Sequence, residues 1–180
     1  PMRTAEDTHG PAGLGYAELP PPQRELTDYD SAQAWVRAAH THAGTLIGLA
    51  TGPLTNLALA LRAEPALPRL LRRLVIMGGA FDYRGNTTPV AEWNISVDPE
   101  SAAEVFAAWG AAWGDQDPDH LPIVLGLNIT EHIALTPAIL ARLAAAAGSP
   151  TSAMSVADVR GTRSAAANPL IGMLEDAMRF

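Results

Sequence analysis

The 180-residue sequence contains no cysteine, which excludes disulfide bonds, thiolate metal sites and thiol catalysis. A chain without cysteine fits the reducing cytoplasm, and we expect this location for the protein. Aromatic residues are also scarce, at 6% of the chain. The length suffices for one domain with a hydrophobic core, so we expect a single domain over residues 1–180.

The sequence also lacks a cluster of basic residues and a long apolar run. Its 12 Lys and Arg residues against 19 Asp and Glu residues give a net charge of −7. This charge argues against binding to nucleic acid or to an anionic membrane, because both need a basic surface. No apolar run approaches the roughly 20 residues that span a bilayer. We therefore expect neither a nucleic-acid partner nor a membrane partner.

Short apolar segments alternate with segments that carry helix start signals. Asp30, Asp98 and Thr136 stand at predicted helix N-caps, and a proline follows the last two at the first helical position. Strands are predicted at 45–50, 74–77 and 122–127, and helices at 31–43, up to about 62, 66–73, 98–109, 136–148 and in two pieces of 150–180. The alternation predicts an α/β fold with an open, mostly parallel, Rossmann-like sheet flanked by helices.

Polar sequence follows each predicted strand, at the edge where such sheets bind ligands. The longest such segment is the loop of residues 77–94, which contains Asn86, Glu92 and Asn94. Two amides and a carboxylate suit a neutral, polyhydroxylated ligand, because together they donate and accept hydrogen bonds. An ordinary solvated loop has a similar composition, and Met77 is also compatible with simple core packing.

Several blocks of the sequence occur in the same order as in the inosine-uridine preferring nucleoside hydrolases, and the chain resembles that family over roughly residues 8–145. The blocks are THG at 8–10, GLG at 13–15, LATGPLTN at 49–56, VIMGGA at 75–80, GNTTP at 85–89, AEWN at 91–94, VDPE at 97–100, GLNIT at 126–130 and LTP at 135–137. Asp is common in the family where Asn128 stands here. The resemblance implies the family's open α/β sheet, of which this chain carries a part.

The resemblance also implies a function in purine or pyrimidine salvage: hydrolysis of the N-glycosidic bond of ribonucleosides to ribose and free base. It implies that Thr51 supplies a main-chain carbonyl to a bound Ca²⁺, although the residues after the first strand also fit a plain strand-to-helix turn. Met77 is expected in the nucleoside pocket, and Asn86, Glu92 and Asn94 on the ribose hydroxyls. The intact protein is expected to form a dimer or a tetramer.

Two family motifs are missing from the sequence. The Asp-rich N-terminal motif, Asp-x-Asp-x-Gly-x-Asp-Asp in outline, supplies most metal ligands and the general base, and the late His-Asp pair supplies a further metal ligand. We therefore expect a fragment truncated at both ends, with no catalytic residue assigned and no activity of its own. The alternative is a non-catalytic remnant of the same fold that binds nucleosides or ribose.

Overall fold

The computed structural model describes residues 4–114, 116–149 and 164–179. Its elements in chain order are α1 (Glu6–His9), α2 (Ser31–Thr41), β1 (Ile47–Ala50), α3 (Thr55–Ala63), α4 (Leu67–Leu70), β2 (Arg73–Met77), α5 (Trp93–Val97), α6 (Pro99–Ala112), the 3₁₀ helix Pro118–His120, β3 (Ile123–Leu125), α7 (Leu127–Thr130), α8 (Pro137–Ala146) and α9 (Pro169–Met178). None of the helices in these ranges is long and apolar enough to cross a membrane.

The described residues form two compact units. One unit is Leu26–Ile133, and the other consists of the described parts of Pro1–Glu25 and Ala134–Phe180. The single domain expected over residues 1–180 stays a prediction.

The unit Leu26–Ile133 is built on three parallel strands in the order β1-β2-β3. Ala50 pairs with Ile76 in the neighbouring strand, and Ile76 pairs with Val124. Because the strands are parallel, their carboxyl ends lie at the same edge of the sheet. The helical connections between them complete an α/β fold with an open parallel sheet, which confirms the predicted fold class.

One face of this sheet packs against α2, α3, α4 and α6. The cluster of buried apolar residues includes Leu57, Leu61, Leu74, Ile76, Val105 and Trp109. Gly48 faces the same side, and a Cβ on it would lie 2.8 Å from a ring carbon of Trp35. Glycine in β1 therefore lets the Trp35 ring pack directly on the strand.

The opposite face of the sheet is partly open to solvent. Ile47 and Leu49 of β1 are 55% and 63% exposed, and Ile123 of β3 is 40% exposed. In β2 the buried positions alternate with half-buried ones, as the pleat of a strand requires. Parallel sheets are normally covered on both faces. Here this face leaves apolar side chains of β1 and β3 exposed.

The predicted helix starts are confirmed by their caps. Asp30 Oδ1 accepts the backbone N–H of Gln33 at 2.8 Å, and Gln33 Oε1 accepts the backbone N–H of Asp30 at 3.1 Å. Asp98 and Thr136 each accept the N–H of the residue three positions later, at 3.0 and 3.3 Å. These side chains satisfy N–H groups that have no partner within their own helices.

The structure corrects several predicted boundaries. The strands predicted at 45–50 and 122–127 are shorter, the helix predicted at 66–73 covers only Leu67–Leu70, and α5 and α7 were not predicted. The third strand ends at Leu125 because Gly126 turns the chain into α7. The helix at 66–73 ends early because Leu71 is already extended and Arg73 begins β2. Of the two helical pieces predicted in 150–180, α9 is described and residues 150–163 lie outside the described ranges.

In the other unit, a tight turn follows the short helix α1. Gly15 donates its backbone N–H to the carbonyl of His9 at 2.8 Å. Gly10 has a positive φ of 76°, and a Cβ on it would lie 2.9 Å from the Gly15 carbonyl oxygen. The glycines of this segment are therefore required by its backbone geometry.

Candidate functional site

The carboxyl ends of β2 and β3 are joined by backbone hydrogen bonds beyond the sheet itself. Gly78 donates its N–H to the carbonyl of Leu125 at 3.1 Å, and Leu127 donates to the carbonyl of Gly79 at 2.9 Å. A Cβ on Gly126 would lie 2.9 Å from that Gly79 oxygen, so the two segments approach as closely as glycine allows. This edge is the base from which the loop of residues 77–94 projects.

The loop closes on itself between residues 85 and 91. Asn86 and Thr87 both donate their backbone N–H groups to the carbonyl of Ala91, at 3.1 and 3.0 Å. A Cβ on Gly85 would lie 2.3 Å from the Thr88 carbonyl oxygen, a distance that no other residue tolerates. The local backbone hydrogen bonds therefore hold the loop in a defined conformation.

The Glu92 carboxylate is buried at the base of this loop, with 3% of the residue exposed. Its Oε1 accepts the backbone N–H of Asn94 at 2.9 Å. Its Oε2 accepts the N–H groups of Ile95 and Gly79, both at 3.1 Å. Glu92 therefore caps α5 and ties that helix to the glycine turn after β2. A carboxylate has about four acceptor positions, so one remains for a further donor.

Asn94 and Met77 lie together on the other side of the same turn. Asn94 is 8% exposed, and its Nδ2 donates to the Met77 carbonyl at 3.2 Å. The same nitrogen lies 3.2 Å from Met77 Sδ. The structure thus brings three of the predicted substrate-binding residues, Met77, Glu92 and Asn94, into one hydrogen-bonded group.

Asn86 is exposed and joins this group through the backbone of α5. Its Oδ1 accepts the N–H of Trp93 at 2.9 Å and lies 3.4 Å from the Thr87 hydroxyl. Among the described residues, no side chain or carbonyl accepts a hydrogen bond from its Nδ2. Asn86 therefore uses its acceptor to hold the loop, and its exposed amide donor has no partner among the described residues.

Two contacts that the sequence did not indicate hold the outer end of the loop. The Tyr83 hydroxyl donates to Glu131 Oε2 at 3.0 Å, and Arg84 Nη2 donates to the same oxygen at 2.6 Å. Glu131 follows α7, nearly fifty residues later in the chain, so no local pattern could have shown this contact.

The expected metal ligand Thr51 lies directly after β1 and is exposed. In residues 4–114, 116–149 and 164–179, no three His, Asp or Glu side chains converge as a metal site. Ca²⁺ takes six to eight oxygen ligands, mostly from carboxylates and carbonyls. The role of Thr51 as a metal ligand stays a prediction.

A second group of polar side chains lies where α3 meets the start of α6. The Thr55 hydroxyl and the backbone N–H and hydroxyl of Ser101 donate to Asp98 and, in this order of effect, hold its pKa below the ordinary value of 3.8. Arg62 donates to Glu104 Oε2 at 2.6 Å, and this hydrogen bond lowers the pKa of the Glu104 carboxyl. The weaker attraction of Arg62 also lowers the pKa of Asp98.

Comparison with known proteins shows one family. Residues 1–180 match the sequence profile of the family described as inosine-uridine preferring nucleoside hydrolase. A relative from Oryza sativa subsp. japonica, named probable uridine nucleosidase 1, is 40% identical over 134 residues, which cover 74% of this chain and 38% of the relative.

Solved structures of nucleoside hydrolases have the same fold. A plant nucleoside hydrolase, PpNRh1, has a TM-score of 0.66 and 32% identity, and the match covers 79% of this chain and 42% of that enzyme. A purine-preferring ribonucleoside hydrolase from Gardnerella vaginalis has a TM-score of 0.68 and 28% identity, with 80% and 42% covered. The chain spans about two fifths of the length of the curated relatives that it matches.

Proposed function

Because the chain belongs to the inosine-uridine preferring nucleoside hydrolase family, we propose that its loop of residues 77–94 binds the ribose of a ribonucleoside. In the whole protein, this binding serves the hydrolysis of the N-glycosidic bond to ribose and a free base, a reaction of nucleoside salvage. The proposal is carried by one observation: Met77, Glu92 and Asn94 form one hydrogen-bonded group beside the exposed amide of Asn86, at the ligand-binding edge of the sheet.

The available donors and acceptors match ribose hydroxyls, which both give and receive hydrogen bonds. Asn86 has an unused amide donor, and Glu92 has capacity for one more donor at its carboxylate. Cleavage of an N-glycosidic bond builds positive charge on the sugar, which a nearby carboxylate stabilises. Hydrogen bonds to several hydroxyls also orient the sugar carbon for attack by water.

We propose that the loop contacts the sugar and that residues outside the loop select the base. The relatives' names cover both kinds of base, since one is a probable uridine nucleosidase and another is purine-preferring. Uridine and inosine share the ribose that the loop is proposed to contact. A cytoplasmic location, a dimer or tetramer, and the Thr51 carbonyl as a Ca²⁺ ligand belong to the same proposal.

We further propose that this 180-residue chain binds nucleosides without hydrolysing them. Its sequence lacks the family's Asp-rich motif, and the described residues assemble no metal site. No described residue of the loop is assigned as general base, because Glu92 already accepts three backbone N–H groups. The same observations favour the second candidate function, a non-catalytic nucleoside-binding protein.

The substitution Asn86→Asp tests the ribose proposal most directly. Asp keeps an oxygen for the Trp93 N–H, so the loop retains its hydrogen bond, but the amide donor is lost. We expect uridine and inosine to bind about fivefold to tenfold more weakly, the effect of one hydrogen bond of about 1–1.5 kcal/mol. Isothermal titration calorimetry with both nucleosides measures the change.

Val90→Asp is the matched control, since Val90 is 80% exposed in the same loop and the substitution adds the same charge. We expect this variant to bind uridine as the unmodified chain does. The ribose proposal is wrong if N86D and V90D bind equally well, or if the unmodified chain does not distinguish uridine from a buffer blank.

A further inference from the structure

The Thr55 hydroxyl connects two segments that lie far apart in the sequence. Thr55 is the first residue of α3, just after the turn that follows β1. Its hydroxyl donates to Oδ2 of Asp98, 43 residues later, between α5 and α6. The contact therefore joins the start of one crossover helix to the junction of two others.

This contact is additional to the capping of α6. The Asp98 carboxylate already accepts the backbone N–H of Ser101 at 3.0 Å through Oδ1 and its hydroxyl at 2.8 Å through Oδ2. Both bonds stay within the first turn of α6. Among the described residues, the Thr55 hydroxyl is the hydrogen-bond donor that links another element to this carboxylate, so its role lies in connecting elements and not in starting the helix.

A short helix joins this contact to the proposed ribose site. α5 comprises only Trp93–Val97, and it is capped at its start by Glu92 and followed directly by Asp98. One end of this helix is held by Glu92 on the glycine turn after β2. The other end is held through Asp98 on Thr55, four residues after Thr51.

We propose that Thr55 is a positioning residue, which acts through Asp98 to set the place of Glu92 and Asn94 relative to the turn at Thr51. This inference rests on the proposed ribose-binding function and adds a residue that does not itself touch the ligand. Without the Thr55 hydroxyl, α5 loses its hydrogen-bonded link through Asp98 to the start of α3, and we expect the group proposed to hold the ribose to be less precisely positioned.

Two substitutions separate this positioning role from a general loss of hydrogen bonding. Thr55→Val and Ser101→Ala each remove one hydroxyl that donates to the same Oδ2, but only the first removes the hydrogen bond between α3 and Asp98. We expect T55V to bind uridine about threefold more weakly or worse and S101A to bind it normally. Thr55→Ser restores the hydroxyl and is expected to restore affinity, and Thr55→Ala repeats the test without β-branching.

Hydrogen exchange provides a second readout that needs no ligand. We expect faster amide exchange in residues 51–56 and 92–97 for T55V, and unchanged exchange there for S101A. Affinity for uridine in T55V equal to that of the unmodified chain overturns the positioning role. If the unmodified chain binds no uridine, the ribose proposal fails, and the exchange comparison alone tests the positioning role of Thr55. Faster exchange in both segments of T55V then supports this role, and unchanged exchange overturns it.

Discussion

The Glu92 carboxylate accepts three backbone N–H groups while only 3% of the residue is exposed. Two of these groups belong to the start of α5, and the third belongs to Gly79 in the turn after β2. A buried N–H without an acceptor is costly, so the carboxylate stabilises the local backbone before any ligand arrives. The same side chain then offers its remaining acceptor position to the proposed ribose.

We expect Glu92→Gln to lower the free energy of unfolding by about 1–3 kcal/mol, because an NH₂ group replaces an oxygen that faces backbone donors. In either orientation of the amide, at least one of the three N–H groups loses its acceptor. Urea unfolding followed by circular dichroism measures the change. Glu100→Gln, an exposed change in the first turn of α6, is the control and is expected to have little effect; equal stabilities of the two variants contradict the capping role.

At the scale of elements, the short helix α5 depends on its two ends. Five residues are too few for a helix that is stable in isolation, since helix formation needs about 12–15 residues even for favourable sequences. Glu92 supplies the cap at one end, and Asp98 holds the other end through α6 and Thr55. The element that carries Asn94 is thus maintained by contacts outside itself.

The hydrogen bonds to Asp98 make the folding stability of the chain depend on pH in the acidic range. The pKa of Asp98 lies below 3.8 because the Thr55 and Ser101 donors favour the carboxylate. A lowered pKa in the folded state contributes stability that is present above pH 3.8 and is lost as the pH falls through the lowered pKa. Arg62 favours the charged form of Asp98 further. The hydrogen bond from Arg62 also lowers the pKa of Glu104, and the charge of Asp98 only partly opposes that lowering.

We therefore expect the unfolding free energy of the chain to fall more steeply than that of Asp98→Asn as the pH falls below 3.8. Urea unfolding at several pH values in that range measures both curves. Because Glu104 also has a lowered pKa, Glu104→Gln is a useful comparison, and its curve should retain the Asp98 contribution. Parallel curves for the unmodified chain and D98N contradict the assignment.

At the scale of the whole molecule, the chain is a family member that spans about two fifths of its relatives' length. Its described residues provide a sheet edge and the hydrogen-bonded group of Met77, Glu92 and Asn94. They do not provide a cluster of metal ligands. We propose that ribose binding and hydrolysis are separate properties of this chain.

We expect the purified 180-residue chain to release no free base from inosine or uridine, with or without added Ca²⁺, and to bind Ca²⁺ weakly, because too few oxygen donors converge. Chromatographic detection of the free base measures hydrolysis, and calorimetry with CaCl₂ measures metal binding. A nucleoside hydrolase that carries the Asp-rich motif is the positive control. Base release by this chain above the blank contradicts the proposal.

Much of the fold could be predicted because its signals are local. Asp30, Asp98 and Thr136 cap helices that begin where the sequence places them, and short apolar runs mark the three strands. Helix α5 was not predicted because Glu92 is an uncommon N-cap, and its third donor comes from a residue 13 positions earlier. The end of the third strand was missed because it depends on the close approach of Gly126 to Gly79, which lies far away in the sequence.

The sequence names the residues of the proposed ribose site, but it does not give their arrangement. The family blocks indicate Met77, Asn86, Glu92 and Asn94, but no pattern shows that Glu92 is occupied by backbone donors or that Asn86 retains one unused donor. The contact between Arg84 and Glu131 depends on the packing of two distant segments. Such contacts are decided by the tertiary structure, which local patterns do not encode.

The order of the strands in the sheet, β1-β2-β3, is also their order along the chain. During synthesis, β1 therefore leaves the ribosome before β2, and β2 before β3, so each new strand finds its neighbour already present. None of the three described strands has to be inserted between two that have already paired. The described sheet and the loop of residues 77–94 between its second and third strands can thus be completed in the direction of translation, while later segments are still being made.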